Sequence, residues 1–339
     1  MEERAKMANV ARILIITASF VILVAGMRAA SSILVPFLLS LFIAVICAPP
    51  LFWMQRKGVP NVLAVLSILA GIIAIGFLLA AFIGTSLNNF SRALPGYEER
   101  LSEMTTALLS WLRGLGLEVS GEVLTDYFDP GKAMKIAANA LAGLSGLLAN
   151  AFLILLTVIF IMLEASGFPQ KLHAALSNPE KSLSHFSNFT ESVNRYLALK
   201  TLFSLFTGII IWIWLAILGV DFSLLWGLVA FLLNFVPNIG SIIAAIPAIL
   251  LALIQLGMGH ALAASLGYVV VNVAVGSIIE PKFMGRGLGL STLVVFLSLV
   301  FWGWVLGPVG MVLSVPLTMI VKIALESNEE THWLAVLLG

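Results

Sequence analysis

The chain has 339 residues, of which 60% are hydrophobic and only 10% are charged, and its formal net charge is +1. Soluble domains carry about 25% charged residues, so this composition excludes a water-soluble fold and indicates a protein whose solvent is lipid. The near balance of charge, without a polybasic tract, excludes nucleic acid as a partner, and the single cysteine, Cys47, excludes an intrachain disulfide and a multi-cysteine metal site.

Four apolar runs in the first half of the chain are candidate membrane spans, because a helix needs about 20 mostly apolar residues to cross the hydrocarbon core. They lie at residues 13–27, 33–48, 62–86 and 141–163. The basic residues Arg4, Lys6 and Arg12 precede the first run, as they would in a signal peptide. No convincing small-x-small cleavage site follows, so we predict a retained anchor.

The net acidic segment 87–140 separates the third run from the fourth and carries the periodicity of an amphipathic helix. Two interpretations of its apolar seam stay open: packing on its own domain or on the membrane surface, and a contact between subunits of a homo-oligomer. The seam consists of Tyr97, Leu101, Met104, Leu108, Trp111 and Leu115.

The second half of the chain contains two apolar blocks that are too long for one crossing. Residues 224–256 and 290–321 would each form a straight helix of about 50 Å, whereas the hydrocarbon core is about 30 Å thick. Because proline removes a backbone donor and clashes with the preceding turn, we predict that each block breaks near its middle and folds as a hairpin or re-entrant pair. Ordinary spans are predicted at 201–218 and 261–279.

The basic residues support this broken-block arrangement. Short cytoplasmic loops are enriched in lysine and arginine. With the amino terminus inside and both long blocks turning back, the basic connections fall on the cytoplasmic side. The predicted topology anchors are Arg56, Lys57, Lys200, Lys282, Arg286 and Lys322.

Polar residues, a glycine and two prolines interrupt the first long block. Such a break frees backbone amides and carbonyls, which transporters use to hold substrates and ions at membrane depth. The alternative is a plain proline kink whose polar groups are satisfied by neighbours. The interrupting residues are Asn234, Pro237, Asn238, Gly240, Ser241 and Pro247, and the second block echoes them loosely with Pro308, Gly310 and Pro316.

A polar stripe follows the span 261–279. Tyr268, Asn272, Gly276 and Glu280 recur every four residues and therefore share one face of a helix. An amide and a carboxylate facing lipid would be unfavourable, so we expect this face to line a cavity or to contact another helix through hydrogen bonds. A compact loop follows, in which Pro281, Gly285 and Gly289 are further candidates for helix breaks or gating.

The sequence lacks the motifs of an ATP-driven pump and of a zinc protease. It contains neither a G-x-x-x-x-G-K-[ST] phosphate loop nor an H-E-x-x-H zinc pair. We therefore predict that the protein is not an enzyme, and we assign it no catalytic residue, no metal and no cofactor.

Two long stretches carry a resemblance to a known family. They are residues 234–247 (NFVPNIGSIIAAIP) and 279–326, which include IEPKFMGRGLGLSTLVVFLSLVFWGWVLGPVGM and LSVPLTMIVKIALE. The sequence resembles the autoinducer-2 exporter family of bacterial membrane proteins, and a weaker likeness covers nearly the whole chain. The resemblance implies an inner-membrane transporter that exports autoinducer-2, a small, highly hydroxylated furanone-derived signal in quorum sensing. Some relatives are similar to sodium or lithium/proton antiporters, and no set of catalytic residues carries over.

These observations together predict an all-α, polytopic transmembrane helical bundle. It has broken or re-entrant helical hairpins in its C-terminal half and an amphipathic extramembrane segment. We expect N-terminal transmembrane helices at 1–86, a periplasmic helical segment at 87–140 and a transport region at 141–339. We place the N terminus in the cytoplasm of a bacterium, with the chain in its inner membrane.

Three functional hypotheses follow, all with membrane lipid as a partner. The first is a secondary transporter for a small polar solute, autoinducer-2, held by Asn234, Asn238, Ser241, Tyr268, Asn272 and Glu280. The second is a sodium (lithium)/proton antiporter centred on Glu280, whose cargo would be a monovalent cation. The third is an oligomeric scaffold or pore that assembles through the seam at 97–115 and has no transport cycle.

Overall fold

The computed structural model describes residues 2–115, 150–165, 167, 179–237, 239–284, 290–326 and 331–339. Every regular element in these ranges is a helix, and six helices are long and apolar enough to cross a membrane. The predicted all-α polytopic bundle is therefore confirmed. Asn238, Gly285, Arg286 and Gly289, together with residues 116–149 of the predicted extramembrane segment and fourth span, lie outside the described residues.

The helices begin with α1 (Glu2–Ala29), α2 (Ser31–Arg56), α3 (Asn61–Gly114) and α4 (Ala151–Ala165). The next four are α5 (Pro179–Ile217), α6 (Ser223–Leu233), α7 (Ile239–Leu256) and α8 (Met258–Val271). A π-helix, Asn272–Ile279, continues α8 directly into the short α9 (Glu280–Met284). The chain ends with α10 (Thr292–Glu326) and α11 (His332–Leu337).

The chain forms two compact units. Unit 1 comprises Met1–Pro49, Leu153–Thr190 and Leu288–Gly339, and unit 2 comprises Pro50–Phe152 and Glu191–Gly287. In unit 1, α1 packs against α10 with Phe20 stacked on Phe301, and the Arg28 guanidinium lies 4.4 Å from the centre of the Trp304 ring. The polar residues of the predicted site lie in unit 2.

In unit 2, α3 is a single helix of 54 residues, about 80 Å long, which exceeds the thickness of a bilayer. Beyond its apolar first part, Tyr97 is buried in the core of unit 2 and Leu101 packs against that core. These two seam residues pack on their own domain, as one of the two interpretations predicts. Leu115, at the other end of the seam, is exposed.

The first long block breaks between α6 and α7. Pro237 lies in the connection, and the two helices pack against each other as a hairpin. At 11 residues, α6 is about 16 Å long and reaches only part of the way through the hydrocarbon core. Gly240 is required at the start of α7, because a Cβ atom there would collide with the carbonyl oxygen of Leu233.

The second block also doubles back, within α10. The bend is at Gly307, whose φ of 70° and ψ of −154° belong to a region that only glycine occupies readily. Trp302 and Thr318 are 16 positions apart, yet the indole Nε1 of Trp302 donates a hydrogen bond of 3.0 Å to the Thr318 hydroxyl. Both predicted hairpins are thus confirmed.

Some details of the breaks differ from the prediction. Pro247 lies inside α7 and Pro316 lies inside the second half of α10, so the structure does not break the chain at either proline. Pro308 directly follows the bend. The bend itself is at Gly307, a residue that was not among the predicted helix breaks. Gly310 repeats the role of Gly240, since a Cβ atom there would collide with the carbonyl oxygen of Trp302.

Glycines also bring α5 and α6 into direct backbone contact. A Cβ atom on Gly208 would lie 2.8 Å from the carbonyl oxygen of Gly227, and a Cβ atom on Gly227 would lie 2.8 Å from that of Gly208. On another side of α5, the Trp214 indole donates a hydrogen bond of 3.1 Å to the Ala263 carbonyl of α8 and packs against Gly267. Small residues therefore make α5 the helix on which α6 and α8 converge.

This arrangement predicts the sidedness of α8. In a Cys47→Ala background, Met258→Cys and Lys282→Cys mark exposed positions at the two ends of the segment formed by α8, the π-helix and α9. We expect an impermeant maleimide to label the two cysteines from opposite faces of the membrane. Labelling of both from the same face would show that this segment does not cross.

Candidate functional site

A row of polar side chains lies on one face of α5. Lys200, Ser204 and Thr207 are spaced by four and three residues, so they share a face of the helix, and all three are buried. We call these three residues the α5 polar face. It lies within the candidate membrane span Val193–Ile217, where buried polar groups are unfavourable unless they are paired or functional.

The cation of the α5 polar face is paired with the carboxylate of the polar stripe. Lys200 Nζ donates to Glu280 Oε1 over 2.6 Å, and their side chains are only 6% and 12% exposed. Transferring both charges from water costs several kcal/mol per ion, so each requires the other for its compensation. Lys200, predicted from the sequence to be a topology anchor at a span end, is instead inside a span and ion-paired.

The break between α6 and α7 contributes the second partner of the α5 polar face. Asn234 Nδ2 donates a hydrogen bond of 3.0 Å to Ser204 Oγ, and both side chains are buried. Since Lys200 and Ser204 are one helical turn apart, α5 brings Asn234 and Glu280 to neighbouring turns of one helix. These two residues were predicted as parts of one site, and the structure brings both to α5.

Two buried hydroxyl groups in unit 2 have no hydrogen-bond partner within the described part of the chain. They belong to Thr207, on the α5 polar face, and to Tyr268, on α8. An unsatisfied buried polar group costs about 1–3 kcal/mol, and in native proteins such groups call for a ligand, a water molecule or a functional reason. Both hydroxyls can donate to and accept from a solute.

The polar stripe passes through the π-helix rather than an α-helix. Asn272 begins this element of eight residues, and Glu280 follows it. The Asn272 side chain occupies the space beside Gly276, where a Cβ atom would lie 3.1 Å from the Asn272 Oδ1. π-Helical segments are rare and are frequently found at functional sites.

The remaining predicted residues lie apart from the α5 polar face or in connections. Ser241 is half-buried in the first turn of α7, and Pro281 is the second residue of α9. Arg56 is at the end of α2, Lys57 follows it, and Lys322 lies in the last turns of α10, where it pairs with Glu326 at 3.7 Å. Ser204 and Thr207 were overlooked, because isolated hydroxyl residues in an apolar run carry no recognisable motif.

The arrangement of unit 2 suits a polar, uncharged solute better than a reaction. Its buried polar groups include hydroxyls, the Asn234 amide, the Trp226 indole N–H and one neutralised ion pair. Hydroxyl, amide and indole groups can hydrogen-bond to the hydroxyl groups of a solute. The hairpin break places the Asn234 amide at the junction of two apolar helices, an arrangement also found in transporters with discontinuous helices.

Comparison with known proteins gives an independent result. The family described as "AI-2E family transporter" matches residues 17–329. The chain is 47% identical to the AI-2 transport protein TqsA of Escherichia coli, with 98% of this chain and 96% of that protein covered. It is 42% identical to a Haemophilus influenzae protein named "Putative transport protein", with 98% and 97% covered.

Proposed function

Since the chain belongs to the AI-2E family of transporters, we propose that it is a secondary transporter that exports autoinducer-2 across the bacterial inner membrane. The N terminus would face the cytoplasm. The relative TqsA carries AI-2 transport in its name, and autoinducer-2 is a small molecule rich in hydroxyl groups. The observation that carries the proposal is the buried set of hydroxyl and amide groups in unit 2.

The proposed cargo matches the hydrogen-bonding capacity of these groups. The unpartnered hydroxyls of Thr207 and Tyr268 would bind hydroxyl groups of the solute. Asn234 and Ser204 already satisfy each other in part, but an amide and a hydroxyl keep further donor and acceptor capacity. The hairpin breaks at Pro237 and Gly307 provide positions at which short helices could move during alternating access.

Transport by the purified protein in liposomes tests this proposal. Autoinducer-2 and sodium should be compared in parallel under an imposed proton gradient. We expect saturable movement of autoinducer-2. Movement of sodium alone would favour antiport. If neither autoinducer-2 nor sodium moves, both candidate functions are contradicted.

Thr207→Val and Tyr268→Phe separate solute binding from folding. Each removes a hydroxyl that has no partner among the described residues, so we expect thermal stability to be unchanged or slightly increased. The KM for autoinducer-2 should rise by roughly tenfold, which corresponds to one lost hydrogen bond of about 1.4 kcal/mol.

Ser204→Ala provides the comparison in thermal stability, because it removes a hydroxyl that has a partner. It removes the hydrogen bond to Asn234 and should lower thermal stability by about 1 kcal/mol. An unchanged KM in both Thr207→Val and Tyr268→Phe would remove these hydroxyls from the binding site.

A second candidate function is monovalent cation/proton antiport, which is favoured by the buried Lys200–Glu280 pair. Carboxylates buried at membrane depth commonly carry protons or cations in transporters. In this mechanism Glu280 would exchange its partner Lys200 for a proton or a cation. In protein that remains folded, Glu280→Gln should then abolish antiport, whereas efflux of a neutral solute should continue.

A further inference from the structure

A second polar cluster lies at the other end of unit 2, where α3, the turn between α5 and α6, and the end of α7 meet. The Tyr97 hydroxyl donates a hydrogen bond of 2.6 Å to Asp221 Oδ2, and Gln255 Oε1 accepts one of 2.9 Å from the Asp221 backbone amide. The span of α5 from Lys200 to Ile217 places this cluster about 26 Å along the helix from the buried ion pair.

The cluster surrounds a cavity of about 270 Å³. Such a volume is close to the lower end of the range for small-molecule sites, about 300 Å³. The cavity is lined by Ala93, Gly96, Tyr97, Arg100, Asp221 and Gln255.

Two opposite charges face this cavity without neutralising each other. Arg100 makes one long hydrogen bond of 3.5 Å, to the Gln255 carbonyl oxygen, and no salt bridge with any residue that the structure describes. The Oδ1 oxygen of Asp221 accepts no hydrogen bond within those same ranges. The cavity therefore offers spare donors on one side and a spare anionic acceptor on another.

This combination disfavours solutes that carry a single net charge. Asp221 would repel an anion and Arg100 would repel a cation, whereas a hydroxyl group both donates and accepts hydrogen bonds. Tyr97 and the small residues Ala93 and Gly96 add a surface suited to the carbon skeleton of such a molecule.

We infer that the cavity between Arg100 and Asp221 is a second binding site, which takes a small neutral solute bearing several hydroxyl groups. It lies at the end of unit 2 opposite the Lys200–Glu280 pair. This inference rests on the proposed function, since the solute class is that of the proposed cargo. For an exporter whose N terminus is cytoplasmic, the site lies at the outer end of unit 2 and receives the solute before release.

Protection of an introduced cysteine tests the site without requiring transport. In a Cys47→Ala background, Ala93→Cys places a thiol in the wall of the cavity, and Ser102→Cys places one at an exposed position on the same helix. The rate of maleimide labelling is measured on the purified full-length protein with autoinducer-2 or ribitol, and with sodium chloride as the comparison. At about ten times its Kd, the solute should slow labelling of Ala93→Cys by about tenfold and leave Ser102→Cys unchanged.

Asp221→Asn and Arg100→Gln identify the groups that hold the solute. Each removes a charged hydrogen-bonding partner, so the solute concentration needed for protection should rise by about tenfold or more. Thermal unfolding of Asp221→Asn and Arg100→Gln reports whether each variant is still folded. Unchanged protection in both variants, or equal labelling of Ala93→Cys with and without solute, would overturn the inference.

The two proposals fail in different ways. If liposomes carry autoinducer-2 but Ala93→Cys is never protected, the second site is contradicted and the proposed function stands. If the solutes protect Ala93→Cys but autoinducer-2 does not cross liposomes, the site is supported and the proposed function is contradicted.

Discussion

Replacing either member of the buried ion pair is expected to destabilise the protein by about 3–5 kcal/mol, because each variant leaves an uncompensated charge buried in the protein. The two single variants are Lys200→Met and Glu280→Gln. The remaining ion, only 6% or 12% exposed, would lie in an environment that water hardly reaches. The measurements are the yield of folded protein and the free energy of unfolding in a fixed detergent.

The double variant Lys200→Met/Glu280→Gln makes this test specific. It removes both charges together, so stability should return close to that of the wild-type protein, since a buried ion pair is often replaceable by uncharged residues without loss. Lys57→Met, at an exposed position, is the control for loss of a positive charge. A double variant as unstable as the sum of the two singles would show that the residues act independently.

The double variant also resolves the question of cargo. If it is folded and exports autoinducer-2, the two charges stabilise the fold but are not required for that transport. If it is folded and has lost cation/proton exchange, the Lys200–Glu280 pair is required for the exchange. Stability and transport are measured on the same preparation, so failure to fold cannot be mistaken for loss of coupling.

Adding one methyl group at either hairpin break is expected to have the second large effect. Gly240→Ala and Gly310→Ala would each drive a Cβ atom into a backbone carbonyl oxygen, of Leu233 and Trp302 respectively. A backbone atom cannot move aside as a flexible side chain can, so the break itself would have to open. We expect destabilisation on the order of 3 kcal/mol and loss of transport.

Alanine at two control glycines should not lower the stability of the protein. Gly71 in α3 and Gly259 in α8 have no atom within 4 Å of an added Cβ atom. Within a helix, alanine is favoured over glycine by about 1 kcal/mol, so Gly71→Ala and Gly259→Ala should be neutral or slightly stabilising. Thermal unfolding of the four variants measures the contrast. Equal behaviour of all four would contradict the tight contacts at the hairpins.

The hairpins could be predicted from sequence because length and proline content are local properties. A block of about 50 Å cannot cross once, and Pro237 and Pro308 both lie at or beside the breaks. The role of Gly307 was overlooked although a glycine-proline pair marks a turn. Pro247 and Pro316 were misleading, since helices in membranes tolerate proline when neighbouring groups satisfy the freed carbonyl.

The candidate site was predictable only in part. Asn234 and Glu280 stand out as polar residues in apolar segments. That both residues pair with α5 could not be predicted. Lys200 and Glu280 are 80 positions apart, and a pairing at that separation leaves no periodic signal in the sequence. The π-helix was likewise hidden, since its sequence does not differ recognisably from the rest of the apolar segment and only the packing around Asn272 and Gly276 distinguishes it.

The backbone contact between Gly208 and Gly227 determines which parts of unit 2 can deform. Close-packed interiors switch between discrete arrangements rather than flexing continuously. At Gly208 and Gly227 no side chain separates the backbones of α5 and α6, so the two helices cannot easily slide past each other. We therefore expect α5 and α6 to move as one rigid body. We expect the flexible element to be the π-helix from Asn272 to Ile279, and we expect substitutions that rigidify it to slow transport.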